Sequence, residues 1–170
     1  VQNIYYDDPF YSFKSDRNGD FTYESLSRTD LLILNQLQSI SSGLASEIDK
    51  FIESGGTLLL IPASDINTSD YNGLLARFTD DRIAGKRSQE VRVKGINLEH
   101  YIYNGVFDQV PQNIDLPVLK KWYDLSSGTR SNGLDLLSLN SGKGFFRQYN
   151  SERGKAFVWL GSLQQQEGNL

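Results

Sequence analysis

The sequence predicts an α/β fold in which a parallel first half is followed by an antiparallel, β-rich C-terminal part. Two short apolar runs with an amphipathic helix between them predict the parallel half, and a series of short segments separated by turn residues predicts the antiparallel half. The length suits one domain. Because the chain begins at Val1 and contains no methionine, we expect residues 1–170 to be a single domain from a longer protein.

The parallel half is a predicted βαβ unit. Asp30–Asn35 and Thr57–Ile61 are apolar runs typical of buried parallel strands, and Pro62 stops the second. The helix between them spans Ala45–Ser54 and ends at Gly55-Gly56, because glycine readily takes the left-handed conformation that follows a helix. A right-handed crossover makes the two strands parallel. The apolar face of the helix is formed by Leu44, Ile48, Phe51 and Ile52.

The remaining elements are predicted from caps, turns and alternation. Ser41 or Ser42 is the N-cap of the first helix, and a second helix spans Ser69–Phe78 with Ser69 as its N-cap. We expect a short strand or helix near Phe21–Leu26 and a short helix or turn at His100–Phe107. Strands are predicted at Val91–Val93, Leu116–Trp122, Leu134–Leu139, Gly144–Tyr149 and Lys155–Leu160.

The composition excludes several kinds of chemistry. The absence of cysteine rules out disulfides, thiolate nucleophiles and cysteine metal ligands, and His100 is the only histidine. A net charge of −4 argues against a surface that binds nucleic acid or an anionic membrane. No apolar stretch reaches the roughly 18 residues that a membrane helix needs, so we expect no direct membrane insertion by this chain.

The βαβ unit resembles the class I glutamine-amidotransferase-like superfamily in the run Asp30–Asn35, the helix end Phe51–Gly56 and the strand Thr57–Ile61. More narrowly, residues 28–165 resemble the amidotransferase-like region of Bacteroidetes membrane proteins of the aerotolerance-regulator (Bat) type. The segments that carry this resemblance are Asn35-Gln36-Leu37, Ile40–Leu44, Tyr71–Leu75, Gly105-Val106-Phe107 and Leu116-Pro117-Val118. The resemblance implies a three-layer flavodoxin-like sheet. It also implies an extracytoplasmic, periplasmic location, because the parent proteins of that family carry flanking membrane helices.

The catalytic residues of that superfamily are missing from this chain. A working class I amidotransferase uses a cysteine on a strand-to-helix elbow with His and Glu partners, and the elbow would fall at Pro62–Asp65. The chain has no cysteine and no His-x-Glu pair. We therefore expect a non-catalytic domain of a bacterial envelope protein that serves interaction or ligand binding. Its expected contacts are protein partners or neighbouring domains of the parent.

Any ligand pocket is expected at the C-terminal ends of the parallel strands, where ligands gather in open α/β sheets. Asn35, Gln36, Ser64 and Asp65 would lie there. Two alternatives stay open, namely a hydrolase that uses Ser64 or Asp65 and a flavodoxin-like cofactor binder that uses the hydroxyl-rich loop Gln38–Ser42. Because the Gly-x-Ser-x-Gly motif of serine hydrolases is absent, we favour a turn or cap role for Ser64.

We expect no cofactor and no metal site. One histidine and no cysteine exclude the usual zinc ligand sets. Asp7-Asp8 and Asp80-Asp81 lack the spaced oxygen ligands of a calcium loop, and solvated turn charges explain them better. We interpret His100 as a surface or core residue and not as a catalytic base.

Overall fold

The chain forms a seven-stranded mixed sheet and a separate two-stranded ribbon. The computed structural model describes residues 10–17, 20–107 and 116–161. Its α-helices are α1 (Ser42–Glu53) and α2 (Thr68–Leu75), and short 3-10 helices lie at Tyr23–Arg28 and Tyr101–Tyr103. The strands are β1 (Leu31–Leu37), β2 (Thr57–Pro62), β3 (Arg82–Arg87), β4 (Val91–Ile96), β5 (Val118–Leu119), β6 (Trp122–Ser126), β7 (Leu134–Leu139), β8 (Gly144–Asn150) and β9 (Lys155–Trp159).

The order of the strands confirms an α/β fold with a parallel start and antiparallel pairing elsewhere. The large sheet runs β1-β2-β9-β8-β7-β4-β5, and only the β1–β2 and β2–β9 pairs are parallel. The last strand thus inserts beside β2, at the junction between the two halves. The β3–β6 ribbon is antiparallel, and its Trp122 forms a single bridge to Gly161 just after β9.

Helix α1 forms as its sequence pattern predicts. The Ser41 hydroxyl accepts a hydrogen bond from the Leu44 amide at 3.2 Å, which confirms Ser41 as the N-cap. Gly55 has a φ of 108°, a conformation that few other residues tolerate, and it ends the helix. The buried face of α1 consists of Leu44, Ala45, Ile48, Phe51 and Ile52.

Both described α-helices lie on the same face of the sheet. They pack against each other, and an ion pair of 3.0 Å joins Asp49 of α1 to Arg77, just beyond α2. The core beneath them includes Leu58 and Leu60 of β2, both fully buried. In the described part of the chain, the second helical layer of a three-layer flavodoxin-like arrangement is therefore not seen.

Helix α2 differs from its prediction at both ends. Its N-cap is Asn67 and not Ser69, because the Asn67 side chain accepts hydrogen bonds from the Ser69 and Asp70 amides at 3.1 and 3.4 Å. The helix ends at Leu75, three residues before the predicted Phe78.

Two features of the β-rich part were also predicted wrongly. The single strand predicted over Leu116–Trp122 is divided between β5 and β6 by a bend at Lys120-Lys121. Strand β3 was not predicted, since Arg82–Arg87 is polar and its only buried side chain is that of Ile83. Hydrogen bonds from Ile83 to the Asn72 side chain, and from Asn72 to the Ile83 carbonyl, fix the position of this strand.

A 3-10 helix and the lack of a long apolar helix among the described residues bear on two further predictions. The segment near Phe21–Leu26, predicted as a short strand or helix, contains a 3-10 helix at Tyr23–Arg28. No helix among the described residues is long and apolar enough to cross a lipid bilayer.

We predict that Gly154 is required for the close approach of the β8–β9 turn to the end of α1. A Cβ atom at this position would overlap the backbone oxygens of Ile52 and Gly56. Gly154→Ala should lower the free energy of unfolding, measured in urea, by about 2 kcal/mol or more. Gly73→Ala is the matched control: it lies inside α2 with open space around it and should raise stability by about 0.5–1 kcal/mol. Equal stability of Gly154→Ala and the wild type would contradict this packing.

Candidate functional site at the strand ends

The C-terminal ends of β1 and β2 lie side by side, as the predicted site requires. Asn35 pairs with Ile61 and Leu37 with Pro62, so Gln36 is an extra residue in β1. Gln36 has a φ of 59°, the left-handed conformation that a side chain rarely adopts. This bulge ends the regular pairing of β1 with β2.

The four predicted site residues share this edge but do not form a cluster. Asn35 is exposed and Gln36 is half-buried. Ser64 is half-buried and Asp65 is exposed. Within the described residues, no hydrogen bond joins any two of these four side chains. Their role in ligand binding stays a prediction.

Two buried tyrosines that the predicted site did not include cap the strand ends. The Tyr71 hydroxyl, from α2, donates to the Leu37 carbonyl at 2.6 Å. The Tyr123 hydroxyl, from β6, donates to the carbonyls of Ala63 and Ser64 at 3.0 and 2.8 Å. Three carbonyl groups at the ends of β1 and β2 thus accept hydrogen bonds from protein hydroxyls.

The environment of Tyr71 keeps its hydroxyl protonated. Burial raises the pKa of Tyr71 well above its ordinary value, and the neighbouring Tyr123 raises it further. A protonated hydroxyl donates a hydrogen bond, whereas a phenolate could not. The Tyr71 cap therefore stays in place across the neutral pH range.

Asp65 belongs to a surface ion pair with Lys86 of β3. The ammonium group lies 2.7 Å from the carboxylate, and the Asp65 side chain is 80% exposed. The hydrogen bond and the charge of Lys86 lower the pKa of Asp65, which makes it a stable carboxylate at neutral pH. A general acid would need the opposite shift.

Ser64 has no histidine near it. His100 is buried against the Tyr101 ring, with ring centroids 4.4 Å apart, and the Tyr101 hydroxyl accepts a hydrogen bond from Lys155. Lys155 pairs with Thr57, the first residue of β2, whereas Ser64 follows the end of that strand. At about 3.3 Å per residue, β2 separates Ser64 from Lys155 by roughly 20 Å. His100 lies at the Lys155 end of the strand.

The β3–β6 ribbon is anchored over the strand ends from its other side as well. Asp124 of β6 pairs with Lys143 in the β7–β8 turn at 2.5 Å and with Arg87 of β3 at 2.8 Å. Burial alone would raise the pKa of Asp124, but the hydrogen bonds from Lys143 and Arg87 outweigh it and lower the pKa. The contact with Lys143 fixes the ribbon to the antiparallel half, whereas the contact with Arg87 joins the two strands of the ribbon.

A second polar cluster lies in the interior beyond α2. Asp81 is fully buried, and its carboxylate accepts hydrogen bonds from Arg147 at 2.6 Å and from Tyr149 at 2.7 Å. The Gly128 amide donates to its other oxygen at 3.2 Å. Burial raises the pKa of Tyr149, so its hydroxyl remains a donor to Asp81.

This cluster corrects one prediction. Asp80 forms an exposed ion pair with Arg130 at 3.0 Å, as expected of a turn charge, but Asp81 is not solvated. Asp7-Asp8 lies outside the described residues. Arg147 also lies 2.6 Å from Asp135 through its Nε, although without hydrogen-bond geometry.

A concave feature also lies away from the strand ends. An open depression of about 200 Å³ lies between β4 and β7. No group of three or more His, Cys, Asp or Glu side chains suited to a metal ion occurs in the described ranges. The depression is lined by Gly95, Ile96, Asn97, Asp135, Leu136 and Ser138.

Comparison with known proteins shows the fold. No protein-family model matches the chain, and no curated protein is significantly similar to it in sequence. Among solved structures, Cytoplasmic Protein STM1381 from Salmonella typhimurium LT2 matches with a TM-score of 0.62 and 18% identity over 84% of this chain and 64% of that chain. Cytoplasmic Protein STM3548 from Salmonella typhimurium matches with a TM-score of 0.61 and 15% identity over 85% and 67%.

A third match shows this fold within a much longer protein. A β-galactosidase from Bacillus circulans matches with a TM-score of 0.58 and 12% identity over 81% of this chain and 21% of that chain. The chain thus spans less than two thirds of STM1381 and about a fifth of the β-galactosidase. At these identities the likeness concerns the fold alone.

These matches correct the family and the location predicted from the sequence. None of the three is described as an amidotransferase or a Bat-type protein, and the sheet is mixed, so the predicted resemblance is wrong. The βαβ pattern on which it rested is shared by many α/β folds. The extracytoplasmic location rested on that resemblance alone, and the two Salmonella proteins, described as cytoplasmic, contradict it.

We predict that the Tyr123 hydroxyl stabilises the ribbon over the strand ends. Tyr123→Phe leaves the buried Ala63 carbonyl and the Ser64 carbonyl without this donor and should lower the free energy of unfolding by about 1–3 kcal/mol. Tyr23→Phe removes a hydroxyl from a side chain that is 45% exposed and should change stability by less than about 0.5 kcal/mol. Urea unfolding of both variants measures the difference, and equal losses would argue against the cap.

Proposed function

We propose that this chain is a non-catalytic interaction domain whose second sheet face packs against a protein surface that carries apolar side chains. The observation that supports this proposal is the contrast between the two faces of the sheet. One face is covered by α1 and α2, while the other carries apolar side chains and no α-helix in the described residues.

The second face is defined by side chains that point away from the helices. Register pairs Ile33 with Leu59, Leu59 with Phe157, and Phe157 with Gln148, and paired residues point to the same side of a sheet. Ile33 and Leu59 are half-buried. Tyr101 covers the part of this face around Lys155 and Gln148, where Phe157 is buried. Its apolar members are Leu31, Ile33, Leu59, Leu134, Phe146 and Phe157.

Apolar side chains in this arrangement favour a covering layer. Leu31 and Leu134 are each 42% exposed, and Phe146 is half-buried beside Phe157 at a ring separation of 5.9 Å. Burial of apolar surface gains about 25 cal/mol per Å². In this proposal the covering protein layer completes the three-layer arrangement that the sequence predicted.

A neighbouring domain of a longer protein is the partner that we favour. The chain matches 64% of STM1381 and 21% of the β-galactosidase, so proteins with this fold contain further chain that can supply such a layer. The net charge of −4 disfavours nucleic acid as the partner.

The surroundings of the candidate catalytic groups support a non-catalytic role. Ser64 lies about the length of β2 from His100, and its carbonyl is engaged by Tyr123. Asp65 is a surface carboxylate paired with Lys86. Neither has the buried, perturbed environment of a catalytic acid, base or nucleophile.

Hydroxyl-radical footprinting tests the proposal. We expect Phe146 and Leu134 to be labelled several-fold less in the protein inside its own cells than in the purified chain, because a protein layer excludes solvent from this face. Tyr23, which lies on the helix side and is 45% exposed, serves as the internal control and should be labelled equally. Equal labelling of all three residues in both samples would overturn the proposal.

A further inference from the structure

Strand β1 is an edge of the large sheet. It pairs with β2 on one side, and among the described residues no strand pairs with its other side. The Thr57 amide donates to the Asp30 carbonyl at 2.9 Å, which fixes the phase of the β1–β2 ladder. In a parallel ladder with this phase, the N–H and C=O groups of Leu31, Ile33 and Asn35 point away from β2.

These outward backbone groups have no hydrogen-bond partner in the described part of the chain. An unpaired edge of this kind is a template for another strand, and proteins usually protect it with charges or proline. Strand β1 has neither, since its sequence is Leu-Leu-Ile-Leu-Asn-Gln-Leu. Its one irregularity is the bulge at Gln36, which leaves residues 31–35 regular.

We propose that two copies of this chain associate by antiparallel pairing of their β1 strands about a twofold axis at Ile33. In this register Ile33 lies opposite Ile33 of the second copy, and Leu31 lies opposite Asn35. Each opposed pair exchanges two backbone hydrogen bonds, so the three pairs form six bonds and satisfy all twelve outward groups, six on each strand. The bulge at Gln36 then marks the end of the interface.

Charge favours a second copy as the occupant of this edge. In the same register Asp30 lies opposite Gln36, and Arg28 lies opposite Gln38. No two charged residues of like sign meet along the paired segment, although the chain carries a net charge of −4. The edge is therefore self-complementary in hydrogen bonding, and its pairing with a second copy brings no like charges together.

The association would join the two seven-stranded sheets into one. Side chains of directly opposed residues point to the same side of a sheet, so the helices of both copies lie on one common face. The pairing uses the backbone edge of β1, whereas the footprinting of the proposed function reads Phe146 and Leu134, which lie on strands away from β1. The two proposals are therefore tested independently.

A single introduced thiol tests the register, because the chain contains no cysteine. Opposed Cα atoms in a hydrogen-bonded antiparallel pair lie about 5.5 Å apart, within the range of a disulfide. Ile33→Cys should form a covalent dimer of twice the 19.2 kDa chain mass on mild oxidation. Thr57→Cys, on the same face but one strand inside the edge, is the control and should remain uncrosslinked.

Charge substitutions at the same position test the association itself. Sedimentation over a dilution series should show a dimer for the wild type and a dissociation constant at least about tenfold higher for Ile33→Lys, since two ammonium groups then meet at the axis. An equimolar mixture of Ile33→Lys and Ile33→Glu should recover the dimer.

Two results would overturn the inference. One is the combination of a wild-type chain that stays monomeric over the dilution series and an Ile33→Cys variant that crosslinks no faster than Thr57→Cys. This result is also the one expected if a strand from a different protein occupies the edge. The other is a dimer whose affinity Ile33→Lys leaves unchanged while circular dichroism shows the variant folded. If Ile33→Lys fails to fold, crosslinking of Ile33→Cys alone tests whether the β1 strands of two copies pair.

Discussion

The hydroxyl of Tyr123 determines what the strand ends of this domain can do. By donating to the carbonyls of Ala63 and Ser64, it places the β3–β6 ribbon over the edge where an open α/β sheet would bind a ligand. Tyr71 does the same for the Leu37 carbonyl at the end of β1. Protein hydroxyls therefore occupy this end of the sheet, which supports the proposal that the domain makes contacts through its sheet face rather than chemistry at the strand ends.

The buried ion pair of Asp81 and Arg147 joins the two halves of the fold. Asp81 follows α2, whereas Arg147 and Tyr149 belong to the antiparallel β8, and all three are buried. Removal of one partner from a buried pair leaves an uncompensated charge, which typically costs about 3–5 kcal/mol. The pair therefore fixes the position of the loop after α2, and with it the start of the ribbon strand β3, relative to the large sheet.

Local patterns predicted the elements that depend on local rules. Apolar runs revealed β1 and β2, and a hydroxyl cap with a glycine stop revealed α1. The closed strand ends were not predicted, because Tyr123 and Ala63 are separated by 60 residues and the strand that carries Tyr123 was itself placed too early. Asp81 was interpreted as a solvated charge, since nothing beside it in the sequence indicates a partner 66 residues away. The aromatic pair Trp122-Tyr123, of residue types enriched in strands, was a signal that could have identified β6.

The reactivity of one introduced thiol tests most directly whether the strand ends are closed, because the chain has no cysteine of its own. Ala63 is buried beneath the Tyr123 hydroxyl, whereas Asp65, two residues further on, is 80% exposed. If the ribbon closes the strand ends, the thiol of Ala63→Cys should react with an uncharged disulfide reagent far more slowly than the thiol of Asp65→Cys. The additional substitution Tyr123→Phe should reduce the difference between the two reaction rates. Equal reaction rates for the two thiols in an otherwise unchanged chain would show that the strand ends are open to solvent, and would contradict this account.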